Sequence, residues 1–284
     1  MNKIGLVGAN GFIGRSIKAS SVFSDCEIHS FGRSNPVTGE SASLNMMSSF
    51  DHIIWTASLT NPLIAESRDD LVQLEFENWV NFLGKLSASP SPTPKILFMS
   101  SGGCVYSGSK TRFREGDVAE GTNEYGRLKL RMEKALSDSG LSYSIIRAAN
   151  IYGPNQPTGR GQGVIAEWVS AAKIGKPIQL FGSAEVQRDF LYVSDFLDSI
   201  RRILQSESNG IVNIGSGRCE SLSSIIDALM AHSPVPIKTT FFPARGFDRL
   251  SYSLDIDLAQ QQFGWSPQVS IQEGVAKCFL VASE

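Results

Sequence analysis

The chain has 284 residues, enough to bury a large core in one or two domains. Apolar residues make up 42% and charged residues 19%, the texture of an ordinary soluble globular protein, and a net charge of -2 gives no electrostatic case for a nucleic-acid partner. The four scattered cysteines, Cys26, Cys104, Cys219 and Cys278, form no C-x-x-C pair, which argues against a zinc site or a disulfide framework and fits a reducing cytoplasm.

The chain opens on an apolar run, Lys3–Val7. Glycines break it and no small-residue cleavage site follows, so it reads as a buried strand and not as a signal peptide. No apolar stretch reaches the roughly 18–20 residues needed to cross a bilayer, and no membrane partner is expected. Directly after the strand come Gly8-Ala9-Asn10-Gly11-Phe12-Ile13-Gly14, with glycines at G-x-x-G-x-x-G spacing, leading into a helical pattern. At such a turn Gly8 permits unusual backbone angles, Gly11 lets a phosphate approach, and Gly14 lets the helix pack closely on the sheet. Unpaired N–H groups at the helix start favour negative charge. Gly8, Gly11, Phe12, Ile13 and Gly14 are therefore the expected cradle of a dinucleotide cofactor.

The second strand, Glu27–Phe31, runs into Gly32-Arg33-Ser34. An NAD site usually places a carboxylate here to hold the ribose 2′-hydroxyl. None is present, and Arg33 is suited to a 2′-phosphate. NADP is expected in preference to NAD; the alternative is that Arg33 is a solvated loop charge. A third strand, His52–Ala57, follows, with Ala57 as a further expected cofactor contact.

A helix from about Glu66 to Leu86 carries Leu71, Leu74, Trp79, Phe82, Leu83 and Leu86 at helical spacing. Ser89-Pro90-Ser91-Pro92-Thr93-Pro94 breaks it. Strands are expected at Lys95–Ser100 and Ser142–Arg147. Strands alternating with helices imply right-handed crossovers and a parallel sheet covered on both faces. Between those two strands Tyr125 and Lys129 stand four apart, on one face of a helix. A nearby ammonium stabilises phenolate, which would lower the tyrosine pKa and make it a useful base near neutrality. Each of the two motifs arises by chance about 0.2 times in a chain of this composition. Both together, in this order and separated by alternating units, are much rarer.

After about Tyr152 the texture changes. Gly153 to Gly161 reads as a loop, Val164 to Ile174 as a helix, and Ile211–Ile214 as a strand returning to the main sheet. A helix follows from Ser221 to Met230, with Ser221 as its cap. The tail, Ile256 to Val281, is helical and loop-rich. The division expected is a dinucleotide-binding domain over 1–155, with a returning part near 185–218, and a substrate-binding lobe over 156–184 and 219–284.

Several blocks together carry a family likeness: Gly8 to Gly14; Ser100-Ser101-Gly102-Gly103-Cys104-Val105-Tyr106; Tyr125 to Lys129; Arg147 to Pro154; Arg188 to Asp195; Asn213 to Gly217; and Phe263 to Pro267. On these the chain resembles the extended short-chain dehydrogenase/reductase family, in its nucleotide-sugar epimerase/dehydratase branch, over nearly its whole length. The resemblance implies an α/β fold, a Rossmann-type doubly wound parallel sheet with a smaller, interleaved C-terminal substrate lobe. It implies that Tyr125 is the catalytic acid/base and that Lys129 holds the nicotinamide ribose and tunes it. Asn150 would contact the substrate's phosphate region, or else cap a turn. Arg188 and Arg245 would clamp the substrate pyrophosphate, a task suited to guanidinium donors. Arg188 could instead bond Asp189 or Asp195, and Arg249 could replace Arg245.

The family's third catalytic residue, a Ser or Thr, falls at Gly102, so Ser101 next to it is the first choice. Cys104 matches an epimerisation acid/base of the fucose-synthase members. Their companion histidine has no counterpart among His29, His52 and His232, and an inert, buried Cys104 is preferred. The Asp-Glu pair of the sugar dehydratases is replaced by Gly102 and Gly103, which disfavours dehydration. The reading that results is an NAD(P)-dependent nucleotide-sugar epimerase acting at C4 through a 4-keto sugar. Its rivals are an NADPH-dependent reductase of a nucleotide-linked 4-keto-6-deoxy sugar and a non-catalytic cofactor-binding sensor. No metal is called for. A cytoplasmic homodimer is expected, joined through the helices near Glu66–Leu86 and Thr122–Leu136.

Overall fold

The computed structural model describes residues 2–37, 44–89, 92–159, 161–244 and 251–280. Six strands form the central sheet: β1 (Asn2–Val7), β2 (Cys26–Phe31), β3 (His52–Trp55), β4 (Lys95–Ser101), β5 (Tyr143–Ala148) and β6 (Gly210–Ile214). Their order is β6-β5-β4-β3-β1-β2, and every neighbouring pair is parallel. β1 is flanked by β2 on one side and β3 on the other, in register at Val7↔Phe31 and Val7↔Trp55. The sheet therefore grows in opposite directions from β1. Ligands of open α/β sheets bind at such a reversal, beyond the carboxyl ends of the strands.

Side chains alternate across the sheet, as the two-residue strand period requires. Ile4, Leu6, Ile54, Leu97 and Ile146 enter one buried layer, and Val7, Ile53, Trp55, Ile96, Phe98 and Ile145 enter the other. Helices α1 (Phe12–Ala19), α2 (Asp69–Ser87), α3 (Glu124–Ser137), α4 (Val164–Lys173), α5 (Val193–Leu204), α6 (Leu222–His232), α7 (Asp257–Phe263) and α8 (Ile271–Leu280) cover the two faces and build the remainder of the chain. Ile17 of α1 and Phe196 and Ile200 of α5 pack in the first layer; α2 and α3 pack in the second.

Trp79 of α2 organises that second layer. Its ring lies 4.7 Å from that of Trp55 and 4.9 Å from that of Phe98, and its Nε1 donates to the Met132 carbonyl of α3 at 2.9 Å. The contact fixes α2 and α3 in rotation against each other. Four short strand pairs tie the second half of the chain down: Phe190–Tyr192 beside Asn150–Tyr152, Gln187–Arg188 beside Glu220–Ser221, Thr239–Phe242 beside Ile178–Phe181, and Ser253–Leu254 beside Arg112–Phe113.

The helix expected from about Glu66 starts three residues later, and a separate turn not expected from the sequence, Pro62–Ala65, precedes it, capped by Asn61, whose Oδ1 accepts from Ile64 N at 2.8 Å. The chain then bends through Arg68 and α2 starts at Asp69, with Asp69 and Asp70 complementing its positive end. The third strand ends at Trp55, because Thr56 turns its hydroxyl onto the carbonyl of Val7 at 2.9 Å and the segment after it crosses toward the glycine turn. The cap at Ser221 is as expected, its Oγ accepting from Ser224 N at 3.0 Å.

Candidate active site

The glycine turn lies at the reversal point of the sheet. Gly8 has φ +91°, and a Cβ there would fall 2.6 Å from the Ala57 amide nitrogen. The N–H groups of Gly8 and Ala9 donate to the Phe31 carbonyl at 3.0 and 3.2 Å, closing the turn onto the end of β2. A Cβ on Gly14 would fall 2.7 Å from Ala9 Cα and overlap the Gly8 carbonyl oxygen, so α1 packs against the turn only because Gly14 has no side chain. Gly11 caps α1 with extended backbone, Phe12 and Ile13 begin the helix, and no acidic residue stands in its first turn. A helix start of this kind, cradled by glycines, fits a pyrophosphate. Arg15 secures the turn by donating to the carbonyls of Asn10 and Asn155 at 3.1 and 3.0 Å. Arg33 is exposed in the tight turn that Gly32 and Asn35 close at the end of β2, next to Asn10. Gly8, Gly11, Phe12, Ile13 and Gly14 thus form the turn and helix start, with Ala57 packed against Gly8 and Arg33 in the neighbouring turn at the end of β2.

Ala57 leads directly to the second half of the site through Ser58. Asn123 caps α3, its Oδ1 accepting from Gly126 N at 2.8 Å, and sets Tyr125 in the first turn. Lys129, 2% exposed, stands one turn further on, with its Nζ 5.1 Å from the centre of the Tyr125 ring. The same Nζ lies 3.1 Å from Glu75 Oε1 and 3.5 Å from Ser58 Oγ. Glu75, on α2, is 4% exposed. Its Oε2 accepts from Leu59 N at 2.8 Å, Thr60 N at 2.9 Å and Thr60 Oγ1 at 2.8 Å, and Ser58 Oγ lies 2.7 Å from its Oε1. The Ser58 hydroxyl also acts on the Tyr125 phenol, favouring its ionised form.

Burial works against the charge on Glu75, but the Lys129 ammonium and the Ser58 and Thr60 hydroxyls outweigh it and hold the carboxyl below its ordinary pKa. Burial also opposes the Lys129 charge, and Glu75 and Tyr125 reverse that effect and raise its pKa. For Tyr125 burial dominates. Lys129 pulls the phenol down, Glu75 and Cys104 push it up, and the outcome lies above the ordinary phenol value. This corrects the expectation drawn from the spacing of Tyr125 and Lys129 alone. The ammonium is there and pulls the phenol down, but burial outweighs it, with an acid from another helix acting in the same sense as burial.

Ser101 ends β4, in register with Ala148, and begins the single turn Gly102–Val105 without capping it through its side chain. That turn leans on the start of α3: the Cys104 carbonyl accepts from Thr122 N at 2.9 Å, and a Cβ on Gly126 would overlap it. Cys104 is partly exposed rather than buried, and its Sγ lies 3.7 Å from Asn123 Nδ2. Gly102 and Gly103 make room for side chains from far along the chain. Cβ atoms there would fall 2.7 Å from Leu254 Cδ1 and 2.5 Å from Tyr252 Oη. Asn150 Nδ2 donates to that Tyr252 oxygen at 2.7 Å and to the Asp189 carbonyl at 3.0 Å, which places both its amide hydrogens within the protein. Arg188 lies next to them, its guanidinium 5.9 Å from the Tyr252 ring and its Nη1 2.9 Å from the Gln187 carbonyl. The carboxylates of Asp189 and Asp195 accept from backbone N–H groups, Asp189 from Ser216, Gly217 and Leu254, and Asp195 from Gln268 and Val269. Arg245 and its alternative Arg249 lie outside the described residues.

Glu75, Ser58, Thr60 and Tyr252 are site residues that sequence reasoning missed. Glu75 did leave a signal. It stands three after Val72 and four before Trp79, within the buried stripe of α2, where an acid needs a partner. Among the described residues no group of His, Cys, Asp and Glu side chains could hold a metal ion, and no helix is long and apolar enough to cross a membrane.

A glycine turn at the reversal point of a parallel sheet, joined through Ala57 and Ser58 to a tyrosine–lysine pair, defines a dinucleotide-binding protein of the short-chain dehydrogenase/reductase kind. Residues 4–215 match the sequence model of the NAD dependent epimerase/dehydratase family, and the chain belongs to that family. It is 30% identical over 220 residues to UDP-glucose 4-epimerase of Mycolicibacterium smegmatis, a match covering 71% of this chain and 68% of that one. It is 32% identical over 191 residues to dTDP-4-dehydro-6-deoxyglucose reductase of Escherichia coli, covering 64% of this chain and 60% of that protein. The crystal structure of Thermus thermophilus UDP-glucose 4-epimerase in complex with NAD superposes with a TM-score of 0.86 at 22% identity, over 99% of this chain and 100% of that one, and shares the fold.

Proposed function

We propose that the protein is an NAD(P)-dependent nucleotide-sugar epimerase acting at C4. The observation that supports this reading is the loop after β3, which packs Ala57 against Gly8 of the glycine turn and brings the next residue, Ser58, to Lys129 of the tyrosine–lysine pair. With a dinucleotide held by its pyrophosphate in that cradle, its nicotinamide would supply hydride exchange with a sugar carbon. Tyr125 removes the proton from the C4 hydroxyl and returns one to the 4-keto oxygen after the sugar has turned. Lys129 holds the nicotinamide ribose, Ser101 donates to the reacting oxygen, and Arg188 and Arg245 hold the phosphates of the substrate, while Asn150, its amide hydrogens taken by Asp189 and Tyr252, fixes the segment beside them. Residues 156–184 and 219–284 form the substrate lobe around the Rossmann domain. The absence of a carboxylate at Gly32-Arg33-Ser34 favours NADP over NAD. Leu74 and Val80, exposed on α2 beside α3, suit a homodimer built on these helices. A cytoplasmic location accords with four free cysteines.

Incubation with UDP-, GDP- and dTDP-hexoses followed by product analysis tests the proposal. Inversion at C4 is expected, and Tyr125→Phe should slow it by about 10²–10⁴-fold while leaving the fold intact. No interconversion of any of these, with stoichiometric oxidation of NADPH on 4-keto sugars, overturns it. That outcome is the second reading, a 4-keto-6-deoxy-sugar reductase, and one observation favours it: the end of β2 carries Arg33 and no carboxylate, which suits NADPH, the usual reductant.

A further inference from the structure

We propose that Glu75 is a positioning residue of this site: it fixes the Lys129 ammonium and balances its charge, so that Tyr125 stands beside a closed ion pair instead of an open cation. The proposal rests on the reading of Tyr125 and Lys129 as the reacting pair.

Three features of the geometry carry it. Lys129 Nζ is nearer to the carboxylate, at 3.1 Å from Oε1, than to the Tyr125 ring, whose centre is 5.1 Å away. The carboxylate is held by more than the lysine, since Leu59 N, Thr60 N and Thr60 Oγ1 all donate to the other oxygen. Its position is therefore set by the loop after β3, the same loop whose Ala57 touches the glycine turn. Ser58 in that loop reaches both members of the pair, Glu75 and Lys129. An ion pair buried to 2% and 5% exposure has a large desolvation cost, and an apolar pair of similar volume would serve packing as well. A stability role alone does not account for it beside the proton-transfer residue.

The charged and titratable groups facing the Tyr125 phenol are Lys129 from its own helix, Glu75 from α2 and Cys104 from the turn after β4. Glu75 and Lys129 oppose each other, so removal of either has a signed effect. The acid favours the phenol and the ammonium favours the phenolate, so the pair sets how far Tyr125 departs from what burial alone would impose.

The test is an ultraviolet difference titration of the Tyr125 phenolate in the isolated, cofactor-saturated protein, with each variant measured against its Tyr125→Phe counterpart. Glu75→Gln should lower the Tyr125 midpoint by about one pH unit or more, and Lys129→Met should raise it. An unchanged midpoint in Glu75→Gln overturns the proposal, whatever its melting temperature. If Glu75→Gln does not fold, Glu75→Gln/Lys129→Met is compared with Lys129→Met, and removal of the acid must again lower the midpoint. A purely structural Glu75 would change melting temperatures and leave the order of midpoints untouched. The readout needs no turnover, so a failure to epimerise nucleotide sugars counts against the proposed activity and not against this assignment.

Discussion

Replacing Lys129 with Met keeps most of its volume and removes the only positive charge within bonding reach of Glu75 among the described contacts. Truncating one partner of a buried ion pair costs about 3–5 kcal/mol, because the other charge is left uncompensated. Here Leu59 N, Thr60 N, Thr60 Oγ1 and Ser58 Oγ still solvate the carboxylate, so the loss belongs at the lower end, about 3 kcal/mol. That corresponds to roughly 6 °C in a protein of this size. The pH dependence has a defined sign. In the native protein Glu75 is held below its ordinary pKa, so its stabilising contribution is present above the unfolded carboxyl value and is lost as pH falls through the folded one. In Lys129→Met the stranded carboxylate is raised instead. The variant then regains stability as pH falls and Glu75 takes up a proton. Lys129 itself titrates above its ordinary value, so it stays charged throughout this range. Urea unfolding of both proteins at pH 8 and pH 5, with the same cofactor loading, reads the difference. The gap should be widest at pH 8 and narrow toward pH 5. A gap under about 1 kcal/mol, or one that does not change with pH, would refute the reasoning.

Gly14→Ala places a methyl group 2.7 Å from Ala9 Cα, and α1 must move off the turn to admit it. A loss of about 1–3 kcal/mol in stability is expected, with a more than tenfold loss of cofactor affinity by fluorescence titration. Arg33→Ala should lower the ratio of NADP to NAD affinity by about tenfold or more, with unchanged melting temperature, since the side chain is exposed; an unchanged ratio makes Arg33 a solvated loop charge. Trp79→Ala should cost about 3–5 kcal/mol in denaturant unfolding, because it empties the layer between α2 and α3 and leaves the Met132 carbonyl without its donor.

The six strands of the central sheet were legible to within one or two residues because most are short, largely apolar runs between turns, whereas the short outer strand pairs, two to four residues each, left no such signal; the glycine turn was legible because its residues are contiguous. The helix before Pro90 was read to within three residues, but the turn that Asn61-Pro62 opens before it was not, because four residues are too few to show a period. The site was legible only in its local parts. Tyr125 and Lys129 declare themselves by a four-residue spacing, but the acid that balances the lysine is 54 positions away on another helix. Asn150 read as a phosphate ligand because nothing near it in sequence foretells Tyr252, 102 positions on, which takes one of its amide hydrogens. Gly102 and Gly103 read as a missing hydroxyl and a missing acid pair. In the fold they are the space that Leu254 and Tyr252 fill.

The account as a whole turns on hydride leaving and returning to one sugar carbon while Tyr125 moves the proton. A nucleotide hexose carrying deuterium at C4, incubated with the cofactor-loaded protein and examined by NMR, tests this directly. The proposed epimerase yields the C4-inverted sugar with deuterium still at C4 and no net consumption of cofactor. An uninverted sugar across the UDP, GDP and dTDP series, or deuterium lost to the released cofactor, would contradict it.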